Sequence, residues 1–328
     1  MQRLMLVVLL AASCGGKSKP PTTPLPPDNP PVAEEKPAEP EQKPPEEKAP
    51  PVPAGPAELK IPAPAVTVKL VAPGKGKREA LKYSAKAGGK QTVELAMDFT
   101  YEQSVEGQSQ KQITPTLVIT GAAETKAVDK DGNADFTLTV ASADVRPVEG
   151  GVPPDKFKAQ LGSLPGMTVT GNVGANGAAK ETVLHIEKPD QFSAGALDLL
   201  QVTLPAFPVL PKEPVGVGAK WQATTQAKLA NEVDVTQVTD YELVSHKGGA
   251  WTIKTTTKVS GAEQALKDAK ISKIAGTGTG EITLTDGALY PTTKSTLQTT
   301  FTATDAQNPA KPMSADFSIK IASAVTAK

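Results

Sequence analysis

From Thr92 to Tyr101 the chain alternates without a break. Val93, Leu95, Met97, Phe99 and Tyr101 fall on one side of an extended backbone, and Thr92, Glu94, Ala96, Asp98 and Thr100 on the other. A period of two over ten residues predicts a strand with one buried face. Val66, Val68 and Leu70 alternate with Thr67 and Lys69 in the same way. The pattern returns near 167–173, 181–187, 220–230, 233–244, 250–259, 278–285, 294–304 and 315–321. Glu106-Gly107-Gln108 reads as a hairpin turn into a strand from Gln110 to Val128, and Asp131-Gly132-Asn133 as the next turn. Short turns between long runs predict antiparallel meanders with a solvated, Thr-rich outer face.

Helical spacing is rare. Pro154–Leu164 carries Phe157, Leu161 and Leu164, with Pro154 suited to a first turn. Ser193–Leu204 places Ala194, Leu197, Leu200 and Leu204 three or four residues apart, and Ala262–Ile271 is a third candidate. The fold class expected is therefore mainly β (α+β with few helices): long, curved antiparallel meander sheets with two or three short helices on one side. An internal duplication is also expected, with repeats 65–190 and 215–328 joined by a helical linker, 191–214. Both halves read strand, turn, strand, helix, strand, turn, strand.

Before residue 65 the texture is different. Seventeen of the 31 prolines lie between Pro20 and Pro64, among mixed charges such as Glu34-Glu35-Lys36. Such a stretch cannot bury enough apolar surface to offset the entropy of ordering it, and proline biases it toward polyproline II. At ~3.1 Å per residue, roughly 50 residues would reach about 150 Å. Residues 14–64 are thus expected to be a disordered, semi-rigid tether, and 65–328 the β-rich domain. Ahead of the tether, Arg3 precedes an uncharged run from Leu4 to Ala12, and Ala11-Ala12-Ser13 lead to Cys14, the only cysteine. This is the layout of an export signal over 1–13. The run is about half the ~20 residues that span a bilayer.

Ala11-Ala12-Ser13-Cys14 resembles the lipobox of bacterial lipoproteins, although Leu10 stands one place earlier than the usual leucine. The resemblance implies that Cys14 is lipidated and becomes the mature N-terminus. Gly15 resembles an outer-membrane address, since aspartate there signals inner-membrane retention in enterobacterial lipoproteins. The run from Leu210 to Trp221 (Leu-Pro-Lys-Glu-Pro-Val-Gly-Val-Gly-Ala-Lys-Trp), with the Met97–Tyr101 strand and the Asp131-Gly132 turn, resembles an uncharacterised family of bacterial β-rich lipoproteins. That likeness implies placement and architecture and carries no catalytic residues. By pattern alone the order of strands and helices is also similar to the LolA-type lipoprotein-carrier fold, which implies a concave face able to hold acyl chains.

Reactive groups are scarce. His185 lies opposite Leu184 and Ile186 in its strand, and His246 stands in Ser245-His246-Lys247-Gly248-Gly249. Neither has a carboxylate at metal or catalytic spacing in sequence. No Gly-x-Ser-x-Gly elbow occurs. Asp129, Asp131, Asn133 and Asp135 alternate like a calcium loop, but Gly132 falls fourth instead of sixth and Val140 replaces the closing glutamate. A turn is the better reading. Gly276, Gly278 and Gly280 lack the lysine of a phosphate loop and suggest bending or close backbone approach.

Lys plus Arg equals Asp plus Glu at 35 each, so no net field selects nucleic acid or acidic lipid. No enzyme, metal or cofactor is expected. The expectation is a lipid-anchored protein of the cell envelope, on the outer membrane and facing either the periplasm or the outside, whose non-catalytic β-rich domain is displayed on the Pro-rich stalk as a structural or protein-binding module, with the membrane, through the anchor, and an envelope protein as partners. The alternative is a carrier or sensor whose apolar ligand lies on Val93, Leu95, Met97 and Phe99.

Overall fold

The structure, a computed structural model, describes residues 55–194, 197, 200, 207–229, 232–266, 269–305 and 313–328. The expected signal segment 1–13, Cys14, most of the tether and most of Ser193–Leu204 lie outside the described residues. The chain is mainly β, as the alternation required. Its strands are β1 (Ala57–Ile61), β2 (Val66–Ala72), β3 (Lys75–Glu79), β4 (Lys90–Val105), β5 (Gln108–Ile113), β6 (Thr116–Val128), β7 (Ala134–Arg146), β8 (Thr168–Val173) and β9 (Ala179–Ile186). They continue as β10 (Val215–Val217), β11 (Lys220–Leu229), β12 (Val233–Lys247), β13 (Ala250–Ser260), β14 (Gln264–Leu266), β15 (Ala269–Thr285), β16 (Thr292–Asp305) and β17 (Ser314–Ala327). Between β7 and β8 lies α1 (Asp155–Lys158), followed by a 3-10 turn (Ala159–Leu161).

Fifteen strands make one antiparallel sheet in the order β1-β9-β8-β7-β6-β4-β17-β16-β15-β13-β12-β11-β2, with β14 on β15 and β5 on β4. The meander from β4 onward thus meets its own end, because β4 pairs with β17 along their length. It opens instead between β9 and β11, and β1 and β2 each line one lip of that opening. These two lips are successive in sequence and joined only by residues 62–65, a connector that spans at most about 18 Å. The sheet is therefore rolled but not closed. The larger core supports the roll: Leu184 of β9 and Trp221 of β11, near opposite ends of the strand order, belong to one buried cluster. That cluster draws on both of the expected repeats, so they are not separate globules.

Three expectations change. The ordered part begins before residue 65, since Ala57–Ile61 is a strand on β9 with Leu59 and Ile61 packed against the core. The proline count masked the short alternation Ala57, Leu59, Ile61, and an edge strand tolerates flanking prolines. The helix expected over Ala262–Ile271 is instead β14 and the start of β15. The register shifts between Ser272 and Ala275, where Lys273 has φ 53°. This bulge puts Ile271 and Ile274 on the same face, three residues apart. The strand expected from Gln110 to Val128 is interrupted before Pro115, leaving β5 and β6 as separate neighbours of β4. The Glu106-Gly107 turn is as expected, with both φ values positive (50° and 82°).

Candidate functional site

β4, β17 and β16 are long enough to run out of one core and toward another. Their inward rows are in register: Val93, Leu95, Met97, Phe99 and Tyr101 of β4 face Ala327, Val325, Ser323, Ile321 and Ile319 of β17, which in turn meet Thr293 to Thr299 of β16. At one end Val93, Leu95, Met97 and Val325 are buried in the large core. Toward the other end, Leu297 and Phe301 pack on a second, smaller core built on Val235, Val259, Ile271 and Ile274. Between the two cores lies a strip of half-buried side chains: Tyr101, Phe317, Ile319 and Ile321, bordered by Phe99 and Phe301.

The aromatic rings of the strip are in contact. Phe301 stacks on Phe317 with centroids 5.0 Å apart and planes 16° apart, and Tyr101 lies 6.0 Å from Phe317. The Tyr101 hydroxyl donates to Gln103 Oε1 at 3.1 Å. Burial pushes its pKa up to about 12, so it is a neutral donor at physiological pH. Across the β4–β5 hairpin the inward row continues as Gln112, Gln110 and Gln108, opposite Tyr101, Gln103 and Val105. Amide side chains thus rim the aromatic strip. Ring faces flanked by hydrogen-bonding groups suit an extended polypeptide better than an ion or a small charged metabolite.

On the other side of the strip, Gly276, Gly278 and Gly280 run along the inward row of β15, opposite Val259, Thr257 and Thr255 and beside Thr299, Leu297 and Ser295. A Cβ on Gly278 would sit 2.5 Å from the Thr296 carbonyl oxygen, and one on Gly280 would sit 2.8 Å from Thr255 Oγ1. The glycines therefore permit close approach of neighbouring strands, the role their spacing suggested. Gly278→Ala is expected to lower stability by about 1–3 kcal/mol, the cost of overpacking, measured as a fall in the urea midpoint at unchanged slope.

The apolar row proposed from sequence is largely occupied. Val93 and Leu95 are 4% and 5% exposed, Met97 is fully buried, and only Phe99 is half-open. A void of about 20 Å³ touches Val93, Leu95, Met167, Leu200 and Tyr290, room for about one water in an apolar lining. The open part of the surface lies farther along the same row. Alternation identifies the row, but the length of the strands beyond the core decides which part of it stays open.

Neither histidine is as isolated as its sequence neighbours imply. His185 is 3.0 Å from Glu187 and 4.0 Å from Glu58, which β1 brings alongside. His246 lies in β12, stacked on Trp251 and 3.4 Å from Glu79. Sequence spacing could not show the Glu58 or Glu79 contacts, because β1 and β3 come from the far N-terminal side. Among the described residues no three His, Cys, Asp or Glu side chains are grouped to hold a metal ion. The calcium-like run is a turn: Asp129 accepts the amides of Asp131 and Asn133 and the Asn133 side chain. Those hydrogen bonds, chiefly from Asn133, hold its carboxyl below the usual range.

The proline-valine-glycine-tryptophan run has a packing role. Gly216 donates to the Pro73 carbonyl, Gly218 to that of Leu243, and Trp221 Nε1 to that of Val209 at 3.1 Å. Val215, Ala219 and Trp221 are at most 1% exposed. No curated protein matches the chain. A family model described as a family of unknown function, DUF6263, matches residues 195–287, a stretch that contains this run and β10 to β15, including the β15 glycines. Within that stretch the chain is similar to an uncharacterised family.

Proposed function

We propose that this chain is a bacterial envelope lipoprotein, anchored through a lipid on Cys14, whose non-catalytic β domain stands on a proline-rich stalk and binds a protein partner. The observation that carries the reading is the half-open strip of Tyr101, Phe317, Ile319 and Ile321 between two filled cores. A strip that packing leaves open, and that carries ring faces and amide rims, supports a contact surface for an extended segment. β5, which pairs with β4 alone, provides an adjacent sheet edge to which such a segment can add. The sequence of Ala11 to Cys14 supports the anchor, and its following Gly15 supports the outer membrane.

The test places a photoreactive residue at Phe317 in the full chain expressed in its host envelope. The expected result is one protein adduct of defined mass, weakened about tenfold or more by Tyr101→Ala, in line with loss of a central aromatic contact. Metabolic labelling with a fatty-acid analogue should mark the chain and should not mark its Cys14→Ser variant. Absence of an adduct overturns the binding role, and absence of label on the Cys14 chain overturns the anchor.

A further inference from the structure

Overall neutrality hides a local imbalance. Between residues 75 and 90 stand six cations, Lys75, Lys77, Arg78, Lys82, Lys86 and Lys90, against one acid, Glu79. All six are exposed. The acids that face them are already engaged or few: Glu79 is held by Lys77 and His246, Glu124 by Lys126, and Asp286 lines the same shallow cleft as Lys82. Lys247, exposed and next to His246, adds a further cation to the neighbourhood. The imbalance arises because β3 is no part of the large sheet. It pairs only with the three-residue β10, so lysines and arginine on both of its faces meet solvent.

The ribbon and the end of β2 that leads into it carry apolar side chains in the open. Among the described residues three large hydrophobic side chains are prominently exposed: Val71, Val217 and Met313. Two of them belong to this part of the chain. Val217, in β10, is 47% exposed and is the cross-strand partner of Lys75. Val71, near the end of β2, is 61% exposed and stands two residues before Pro73, whose carbonyl accepts the Gly216 amide. Exposed cations on a short, glycine-locked ribbon, with one bare valine on it and another just ahead of it, match the boundary between phosphate headgroups and acyl chains. A nucleic-acid backbone would use the charges but leave the valines in water.

We infer that the β3–β10 ribbon is a second membrane contact, which seats the folded domain on an anionic phospholipid surface. The inference extends the anchored reading and rests on its envelope placement.

The test uses residues 14–328 with Cys14→Ser, so that neither the apolar run Leu4–Ala12 nor a lipid contributes and the outcome is independent of whether Cys14 is acylated. Sedimentation with vesicles of phosphatidylcholine alone is compared with vesicles that also contain phosphatidylglycerol. Binding is expected only to the anionic vesicles and is expected to be lost in high salt. Lys75→Gln/Arg78→Gln/Lys82→Gln should weaken it about tenfold or more, because each surface cation adds to the attraction. Val71→Ser/Val217→Ser should weaken it without changing the salt dependence. Thermal melts establish that both variants fold. Equal binding by the triple variant, equal binding to neutral vesicles, or preference for duplex DNA over anionic vesicles would each overturn the inference.

Discussion

Trp221→Ala is expected to remove about 3–5 kcal/mol of folding stability, the range for truncating a large buried aromatic. Trp221 is 1% exposed and lies flat on Tyr241, with centroids 5.2 Å apart and planes 2° apart. It sits in β11 between Leu70 of β2 and Tyr241 of β12, so it ties one lip of the opening to the main sheet. Truncation would leave a cavity and orphan the part-buried Val209 carbonyl that its indole N–H satisfies. A domain of this kind has only about 5–15 kcal/mol in hand, so the variant should unfold at much lower urea. Trp251, the other tryptophan, remains as the fluorescent reporter. Trp221→Phe should recover most of the loss, because the stacked ring is restored and only the hydrogen bond is missing. A loss below about 1 kcal/mol for the alanine variant would mean that the site collapses freely and that the β2 lip is not held there.

The second large effect concerns a contact with no side chain in it. Gly74 has φ +79°, and a Cβ placed on it would overlap the Gly216 carbonyl oxygen and lie 2.7 Å from the Ala219 amide nitrogen. Gly216 in turn leaves no space for a Cβ against the Lys75 carbonyl. The two glycines interlock where the chain turns into β3 and where β10 begins. Gly74→Ala therefore carries two costs: about 1 kcal/mol for left-handed backbone, and about 1–3 kcal/mol for overpacking against groups that cannot rotate away. Gly76 separates them. It has φ +74° but nothing within 4 Å of an added Cβ, so Gly76→Ala should show the conformational cost alone. If the two variants melt together, the close approach of Gly74 and Gly216 contributes nothing. If Gly74→Ala is the worse by roughly 2 kcal/mol, the ribbon that carries Lys75 and Arg78 is held to the domain at this point.

Much of this architecture could be read from residue order. The alternation in β4, β7, β12 and β16 translates into buried and exposed faces almost residue for residue. The Glu106-Gly107 and Asp131-Gly132 turns lie where their left-handed preferences required. Two kinds of signal misled. Residues 262–271 hold the three-residue β14 and only the first residues of β15, strand pieces too short for a period of two to be read from them. Prolines at 56, 62 and 64 concealed a five-residue strand, because composition averages over a window longer than the strand itself. The site was harder to read. The row from Val93 to Phe99 could be recognised as apolar, but its closure depends on Leu197, Leu200, Phe207 and Tyr290 arriving from elsewhere.

Residue order alone was enough for the class of fold, the alternating faces and the position of the turns, since these depend on neighbours within a few residues and on backbone sterics. Tertiary structure decided which strands became the lips of the opening, how far each long strand outran the core, and which carboxylates met His185 and His246. Those outcomes depend on contacts between residues a hundred or more positions apart, for which a period of two carries no information. It identifies the face that must be covered and leaves open what covers it.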